Sequence, residues 1–439
     1  MRKPNLDMQI FKKRRELLAQ KTQGSAVIIP AHPEMLRNND VHHPYRQDSS
    51  LFYFTGFEEP ESVLVFRPGL NPEYVLFVRP KDVLRETWDG FRYGQEGAQQ
   101  AFGVDKTFLI TDIATVLPDL LKPVDRVYYK LFENHEFDRV FTEALAKVRL
   151  SQGRSNLGLL PIMDSSEIIG EMRLKKAPEE IAWLRKACEI TSRGHLAGMK
   201  FTRPGVNELQ LSGTIEHSFR MLGSPRNGYH PIVASGPSAT TLHYNFNDQE
   251  CKDGDLVLVD MGAEYNYFTG DITRTYPVNG KFTPVQKRFY QVVLNVQKEI
   301  LNLVKPGLLF KDLQETAISL LTTGLLELGI LRGPKELIIE QARFKKYYPH
   351  GVSHWLGMDV HDAGLYKVGG LSRPIEEGMC FTIEPGLYVP LDDTEAPKEY
   401  RGLGVRIEDN ILVTANGCEN MTSLAPKEVS EIEALVGTA

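Results

Sequence analysis

Five side chains in this 439-residue chain have the types and settings of a reactive centre: Asp260 in DLVLVDMG, Asp271 in FTGDITRTYPV, His354 in PHGVSHWLGMDVHD, Glu384 in FTIEPGLYV and Glu408 in GVRIEDNILV. Acidic residues are depleted from apolar strands. Two like charges about 4 Å apart repel by roughly 4 kcal/mol at an effective dielectric of 20. Four carboxylates converging on one point therefore call for cations among them. Two divalent ions would balance the four charges, with the histidine as a neutral ligand and a bridging hydroxide as the nucleophile. The arithmetic fits a two-metal hydrolase.

The neighbours refine this reading. Asp271, Thr273 and Thr275 alternate along one strand face, so Asp260 and Asp271 on adjacent strands can aim at one point. Pro385-Gly386 turns the chain just after Glu384. Arg406 and Glu408 share a strand face, placed for a common site or for a structural ion pair, whereas Asp409 points the other way. The HGVSH run from His350 to His354 lacks the Glu of a zinc-protease helix, and Pro349 and Gly351 disfavour a helix there. With His230, His243 and His361, those two histidines supply imidazoles that can bind metal, polarise a carbonyl or move a proton. A donor set dominated by oxygen favours Mn²⁺, with Co²⁺, Fe²⁺ and Zn²⁺ chemically open. The sequence has no Walker loop, GxSxG elbow or Rossmann fingerprint.

These residues need two kinds of scaffold. Up to about residue 170, helical stretches near Asp7–Lys21, Asp112–Leu121 and Glu136–Val148 alternate with apolar runs at SAVIIP, SVLVFRPG, YVLFVRPK and RVYYKL, an α/β pattern. A new helix opens at Pro178 with Glu179 and Glu180 in its first turn, which places a join near Leu174 and gives domains 1–173 and 174–439. The second domain runs one programme twice. A helix, Arg203-Pro204-Gly205, a second helix, a histidine segment and strands with Asp260 and Asp271 precede a helix from Thr283-Pro284, Lys305-Pro306-Gly307, another helix, a histidine segment and strands with Glu384 and Glu408. A duplication of αα-then-β halves would set the site on a pseudo-twofold axis between curved antiparallel sheets, with helices outside.

Composition narrows the class. A net charge of −6 leaves no footprint for nucleic acid or an anionic membrane. No apolar run reaches the roughly 18 residues of a membrane span. Cys188, Cys251, Cys380 and Cys418 lie far apart and read as reduced thiols. The basic opening lacks an apolar signal core, and Asp7 and Glu16 argue against a transit peptide, so the expected compartment is the cytoplasm.

At the five residues the sequence resembles the proline-specific metallopeptidases of the pita-bread fold, and within them the aminopeptidase P (Xaa-Pro aminopeptidase) family. The likeness runs through VDMGAEYNYFTGDITRTYPVNGKFT, PHGVSHWLGMDVHD, TIEPGLYV and YRGLGVRIEDNILVT, and extends to YRQDSSLFYFTGFEEPESVLV in the first domain. The resemblance implies that Asp271 and Glu408 bridge two Mn²⁺ ions, Asp260 completing one site and His354 with Glu384 the other. It also implies Glu384 as proton shuttle, His361 and His243 as stabilisers of the tetrahedral intermediate, and His350, Tyr388 and Arg406 as the proline pocket. Trp88 in RETWDGFRYG resembles a tryptophan that bacterial members lend to a neighbouring subunit, which implies a homo-oligomer, dimer or tetramer. The expected substrates are peptides Xaa-Pro-Yaa. The rivals are a prolidase restricted to dipeptides and an inactive binding protein on the same fold, and the complete ligand set argues against the second.

Overall fold

The computed structural model describes residues 6–155 and 158–438; the first five residues of the basic opening lie outside them. The chain divides into two compact units, Met1–Ile169 and Gly170–Ala439. The division falls inside the helix Ser166–Leu174, slightly before the join expected from sequence.

The first unit opens with the helix Met8–Lys21, which starts where the Asp7 carboxylate accepts the Gln9 N–H. Its sheet has six strands in the spatial order Lys106–Leu109, Tyr74–Val78, Val63–Phe66, Ser25–Pro30, Arg126–Tyr128 and Ile162–Met163. The central strands pair antiparallel, and those at either side are added parallel. The helices Ile113–Leu121 and His135–Ser151 bring Leu117, Leu121, Phe141 and Leu145 to the same apolar core as Ile28, Val65 and Phe77. Asn134 caps the second of these by accepting from Phe137 N.

In the second unit the helices Pro178–Phe201 and Glu208–Met221 precede an antiparallel sheet of Ile232–Ser235, Leu256–Met261 and Ile272–Pro277. The helices Pro284–Leu303 and Phe310–Glu327 precede a second antiparallel sheet of Cys380–Ile383, Asp409–Thr414 and Gly417–Asn420. A ribbon of Gly386–Tyr388 with Gly404–Arg406 adjoins it in sequence.

The duplication reaches individual hydrogen bonds. In the first half Gly205 N donates to Cys251 O, Cys251 N to Val206 O and Glu208 N to Gln249 O. In the second half Gly307 N donates to Ile375 O, Ile375 N to Leu308 O and Phe310 N to Arg373 O, all six between 2.8 and 2.9 Å. Gly205 and Gly307 have φ of +86° and +92°, which an L side chain adopts only with strain. The Pro-Gly echo in the sequence is thus one left-handed turn used twice to dock a helix pair onto its sheet segment.

The halves are tied directly behind the acidic residues. Glu408 N donates to Thr273 O at 3.0 Å. The fully buried Arg274 guanidinium donates to Glu408 O at 2.5 Å, Asp409 Oδ1 at 2.6 Å and Ala425 O at 2.9 Å. Asp409 also accepts from Lys427, Gln297 and Thr422. Burial alone would keep its carboxyl protonated, but Arg274 and Lys427 hold its pKa far below the usual carboxylate range. A continuous core with Ile190, Leu211, Phe219, Val259, Tyr290, Leu313 and Ile411 packs the helices against both sheets.

His195 on the helix Pro178–Phe201 is buried, its Nε2 pairs with Met261 O at 3.0 Å, and its Nδ1 has no partner. Desolvation lowers its pKa to about 4 from an ordinary 6.5. The unfolded chain therefore takes up this proton first as pH falls. The associated stability is complete above pH 6.5 and is lost between 6.5 and about 4, on the order of 3 kcal/mol. Urea unfolding at stepped pH should show that loss in the wild type relative to His195→Gln; parallel curves would contradict it.

Candidate metal centre

Strand register brings the five residues together. Asp260 lies in the strand Leu256–Met261 opposite Thr273, and Asp271 immediately precedes the strand Ile272–Pro277. Glu384 follows and Glu408 precedes the paired ends Ile383 and Asp409 of the second sheet, so one ladder delivers both. His354 lies in irregular chain beside the same sheet, where its backbone N–H donates to Thr382 Oγ1 at 3.2 Å.

His354 Nδ1 donates to Trp355 O at 3.1 Å, which leaves Nε2 facing Asp271 Oδ2 at 3.3 Å, Glu384 Oε1 at 3.4 Å and Glu408 Oε1 at 4.0 Å. One atom each from Asp271, His354 and Glu408 lie within 4.8 Å of one another, the group of His, Cys, Asp and Glu side chains among the described residues that is close enough to hold an ion. Tyr229 Oη lies 2.7 Å from Asp260 Oδ1 and 2.6 Å from Asp271 Oδ1, but its single proton serves only one of them at a time.

The electrostatics register the crowding. Burial disfavours charge on His354, yet Asp271 and Glu384 outweigh it and raise its pKa to about 9. Burial raises Asp260 against the pull of Arg406. Asp271 is also desolvated, but the His354 hydrogen bond holds it low. Burial raises Glu384 to about 7, opposed by His354 and Arg406, and burial with Asp271 and Glu384 pushes Glu408 far up. A cluster of acceptors that must borrow protons to coexist is one that divalent cations fit, and the oxygen-rich donors with one imidazole suit such ions.

Arg406 supplies a fixed positive charge. Its guanidinium donates to Asp260 Oδ2 at 2.6 Å, to Thr273 Oγ1 at 3.0 Å and to Tyr388 Oη at 3.0 Å. It pairs with Asp260, while Glu408, two residues along, accepts from Thr273 Oγ1 at 2.6 Å. His350 Nδ1 donates to Gly351 O, which leaves Nε2 to accept from Tyr388 Oη at 2.9 Å. Burial and Arg406 lower its pKa to about 4, so this imidazole is neutral at pH 7.

A cavity of about 640 Å³ opens onto Asp260, Asp271, His354, Glu384 and Glu408 together with Arg406 and His350, and Ile232, Leu242 and Val360 give it apolar wall. His243 and His361 line it, the His361 ring 4.5 Å from that of His354. Trp88 stands 85 % exposed on the helix Val83–Asp89 of the first unit. A wider hollow of about 920 Å³ in the first unit, with His32, Glu34 and His135 on its walls, shows no comparable convergence of ligands among the described residues.

The sequence reading missed Tyr229 and Asn410. Their partners lie 31 to 139 residues away, and neither stands in a motif whose local spacing shows it.

Residues 182–415 match the model of metallopeptidase family M24, and residues 11–128 that of the aminopeptidase P N-terminal domain. The chain belongs to metallopeptidase family M24. It is 43 % identical over 437 residues to the Xaa-Pro aminopeptidase of Escherichia coli (strain K12), covering 99 % of both chains, and 35 % identical to human Xaa-Pro aminopeptidase 3 over 97 % of this chain and 83 % of that one. Among solved structures, Pseudomonas aeruginosa aminopeptidase PepP superposes with a TM-score of 0.94 at 42 % identity, covering 98 % of both chains. A zinc-substituted E. coli aminopeptidase P with product gives 0.93 at 43 % identity and the same coverage. This M24 chain is thus a metallopeptidase, with the family's pita-bread catalytic unit behind its N-terminal domain.

Metal should stabilise the fold by binding only the native state, by about 2.7 kcal/mol at 100 times Kd. Adding Mn²⁺ to chelated protein should raise the thermal midpoint, and Asp271→Ala should remove the rise. An unchanged rise in that variant would exclude Asp271 as a ligand.

Proposed function

We propose that this chain is a manganese-dependent Xaa-Pro aminopeptidase, which removes an N-terminal residue from peptides whose second residue is proline. The observation that carries the reading is one cavity in which the acceptor cluster of Asp271, His354, Glu384 and Glu408 meets Arg406 and His350, which Tyr388 links by hydrogen bonds. The names of the whole-length relatives point the same way.

In this reading Asp260, Asp271, His354, Glu384 and Glu408 would hold the ions, Asp271 and Glu408 contributing to both. When bound, the ions supply Lewis acidity and bring the pKa of water from 15.7 towards roughly 7. The protein supplies the rest. Glu384, placed beside His354 on the cavity wall, takes a proton from the attacking water and returns it to the leaving proline nitrogen. His361 and His243 donate to the carbonyl oxygen as it gains charge. The neutral His350, the Tyr388 ring and the aliphatic stem of Arg406 frame the proline ring, whose missing N–H asks for a site with no acceptor to satisfy. Arg406 also holds Asp260 and aims Tyr388, so a lysine there would lose two of its three contacts.

The assembly is a homo-oligomer in which Trp88 of one copy reaches the site of another; its exposure in a single chain and the family resemblance support this. The four unpaired cysteines suit a cytoplasmic protein, and no described helix is long and apolar enough to cross a membrane.

Chelated, Mn²⁺-reconstituted protein should release the first residue from Xaa-Pro-Yaa tripeptides, read by mass spectrometry. Cleavage of Xaa-Pro dipeptides alone would make it a prolidase, and cleavage of neither would leave a binding protein. His361→Ala should lower kcat by about 10² to 10⁴ while bound metal stays at the wild-type level. Loss of metal along with activity would make His361 a ligand instead.

A further inference from the structure

Asp271 sits one residue beyond the last rung of its ladder, the Met261–Ile272 pair, so the strand leaves its main chain without a cross-strand partner. The Asn410 side chain takes that place. Its Oδ1 accepts from Asp271 N at 2.8 Å and its Nδ2 donates to Asp271 O at 2.5 Å. One donor and one acceptor at the spacing of a primary amide match the N–H and C=O of a single residue, and a flipped amide would set like against like at both contacts.

Asn410 is itself fixed. It is fully buried, sits opposite Thr382 in the second sheet, donates its N–H to Thr422 Oγ1 at 3.1 Å, and accepts the Cys188 thiol on Oδ1 at 3.2 Å. It also lies two residues beyond Glu408. The segment that presents Glu408 thereby grips the backbone of Asp271, and the two carboxylates are drawn from opposite halves of the unit into one spacing.

We propose that Asn410 is a positioning residue for the metal centre: its amide serves as a one-residue strand partner that fixes Asp271 against Glu408 and so sets the affinity for the ions. The proposal rests on the reading that Asp271 and Glu408 both hold metal. Outer residues that orient ligands commonly contribute 10- to 100-fold in affinity. Asp is not an adequate substitute, because its second oxygen would face the Asp271 carbonyl and add a negative charge where the centre already has an excess.

The test titrates Mn²⁺ alone into chelated full-length wild type, Asn410→Asp, Asn410→Ser and Asp271→Ala, following free ion by electron paramagnetic resonance, with the metal-free unfolding midpoint recorded for each. Both Asn410 variants should bind 10- to 100-fold more weakly while each still unfolds cooperatively without metal, Asn410→Ser at the higher midpoint because it adds no buried charge. Wild-type affinity in the Asn410 variants, with binding lost in Asp271→Ala, would overturn the positioning role alone. Wild-type affinity in Asp271→Ala would overturn the underlying ligand assignment and the proposal with it. Failure of both Asn410 variants to fold without metal would also overturn it, since Asn410 would then be a structural residue.

Discussion

Concentrated negative charge in a dry interior is the constraint on which the catalytic unit depends. Asp260, Asp271 and Glu408 are buried, and Glu384 lies half-buried beside them. Arg406 offsets part of this charge from a position as buried as theirs. The remainder is met by shared protons: one on His354, one from Tyr229 and one on a carboxyl with a strongly raised pKa. Each is a weaker answer than a divalent ion held by the same oxygens. The site is therefore both costly to fold and selective for cations, and these are two consequences of the same electrostatics.

The crowding also separates the roles of chemically similar groups. Asp271 is held low, Glu384 is raised to about 7 and Glu408 is pushed far up, though all three are carboxylates within reach of one imidazole. Without bound metal, burial and neighbouring charge thus give three like groups different tendencies to hold a proton. The two histidines of HGVSH diverge for the same reason. His354 faces carboxylates and is driven towards the cation, whereas His350 faces Arg406 and stays neutral.

A site this strained needs a rigid frame, and the duplicated halves provide it. Each half delivers two carboxylates from strand ends, where a ladder aims a side chain without requiring every backbone group to pair within it. The Arg274 and Asp409 knot then fixes one half against the other directly behind Glu408. Arg274 alternates with Thr273 and Thr275 along its strand, so one face of that strand builds the structural knot while the other touches Glu408 and Arg406. Removing either member of such a buried pair leaves an uncompensated charge, which explains why the knot is hydrogen-bonded on every side.

Much of this was legible in the sequence wherever the cause is local. Strand runs such as SAVIIP and the Pro-Gly turns act through neighbouring residues, and acidic residues inside apolar strands betray themselves because that placement is unfavourable without a partner. That Asp409 points away from Glu408 followed from strand alternation alone. What only the tertiary structure decided was pairing. Spacing allowed Arg406 to bond Glu408, and the fold gave it Asp260 instead, 146 residues away. Nothing near Tyr229 or Asn410 signals their hold on Asp271, because a hydrogen bond depends on distance in space, and register between remote strands is set by the packing of the whole core. Sequence thus determined which groups are chemically conspicuous and which faces they occupy; the fold determined which of them meet, and so which carries charge, which carries a proton and which only holds another in place.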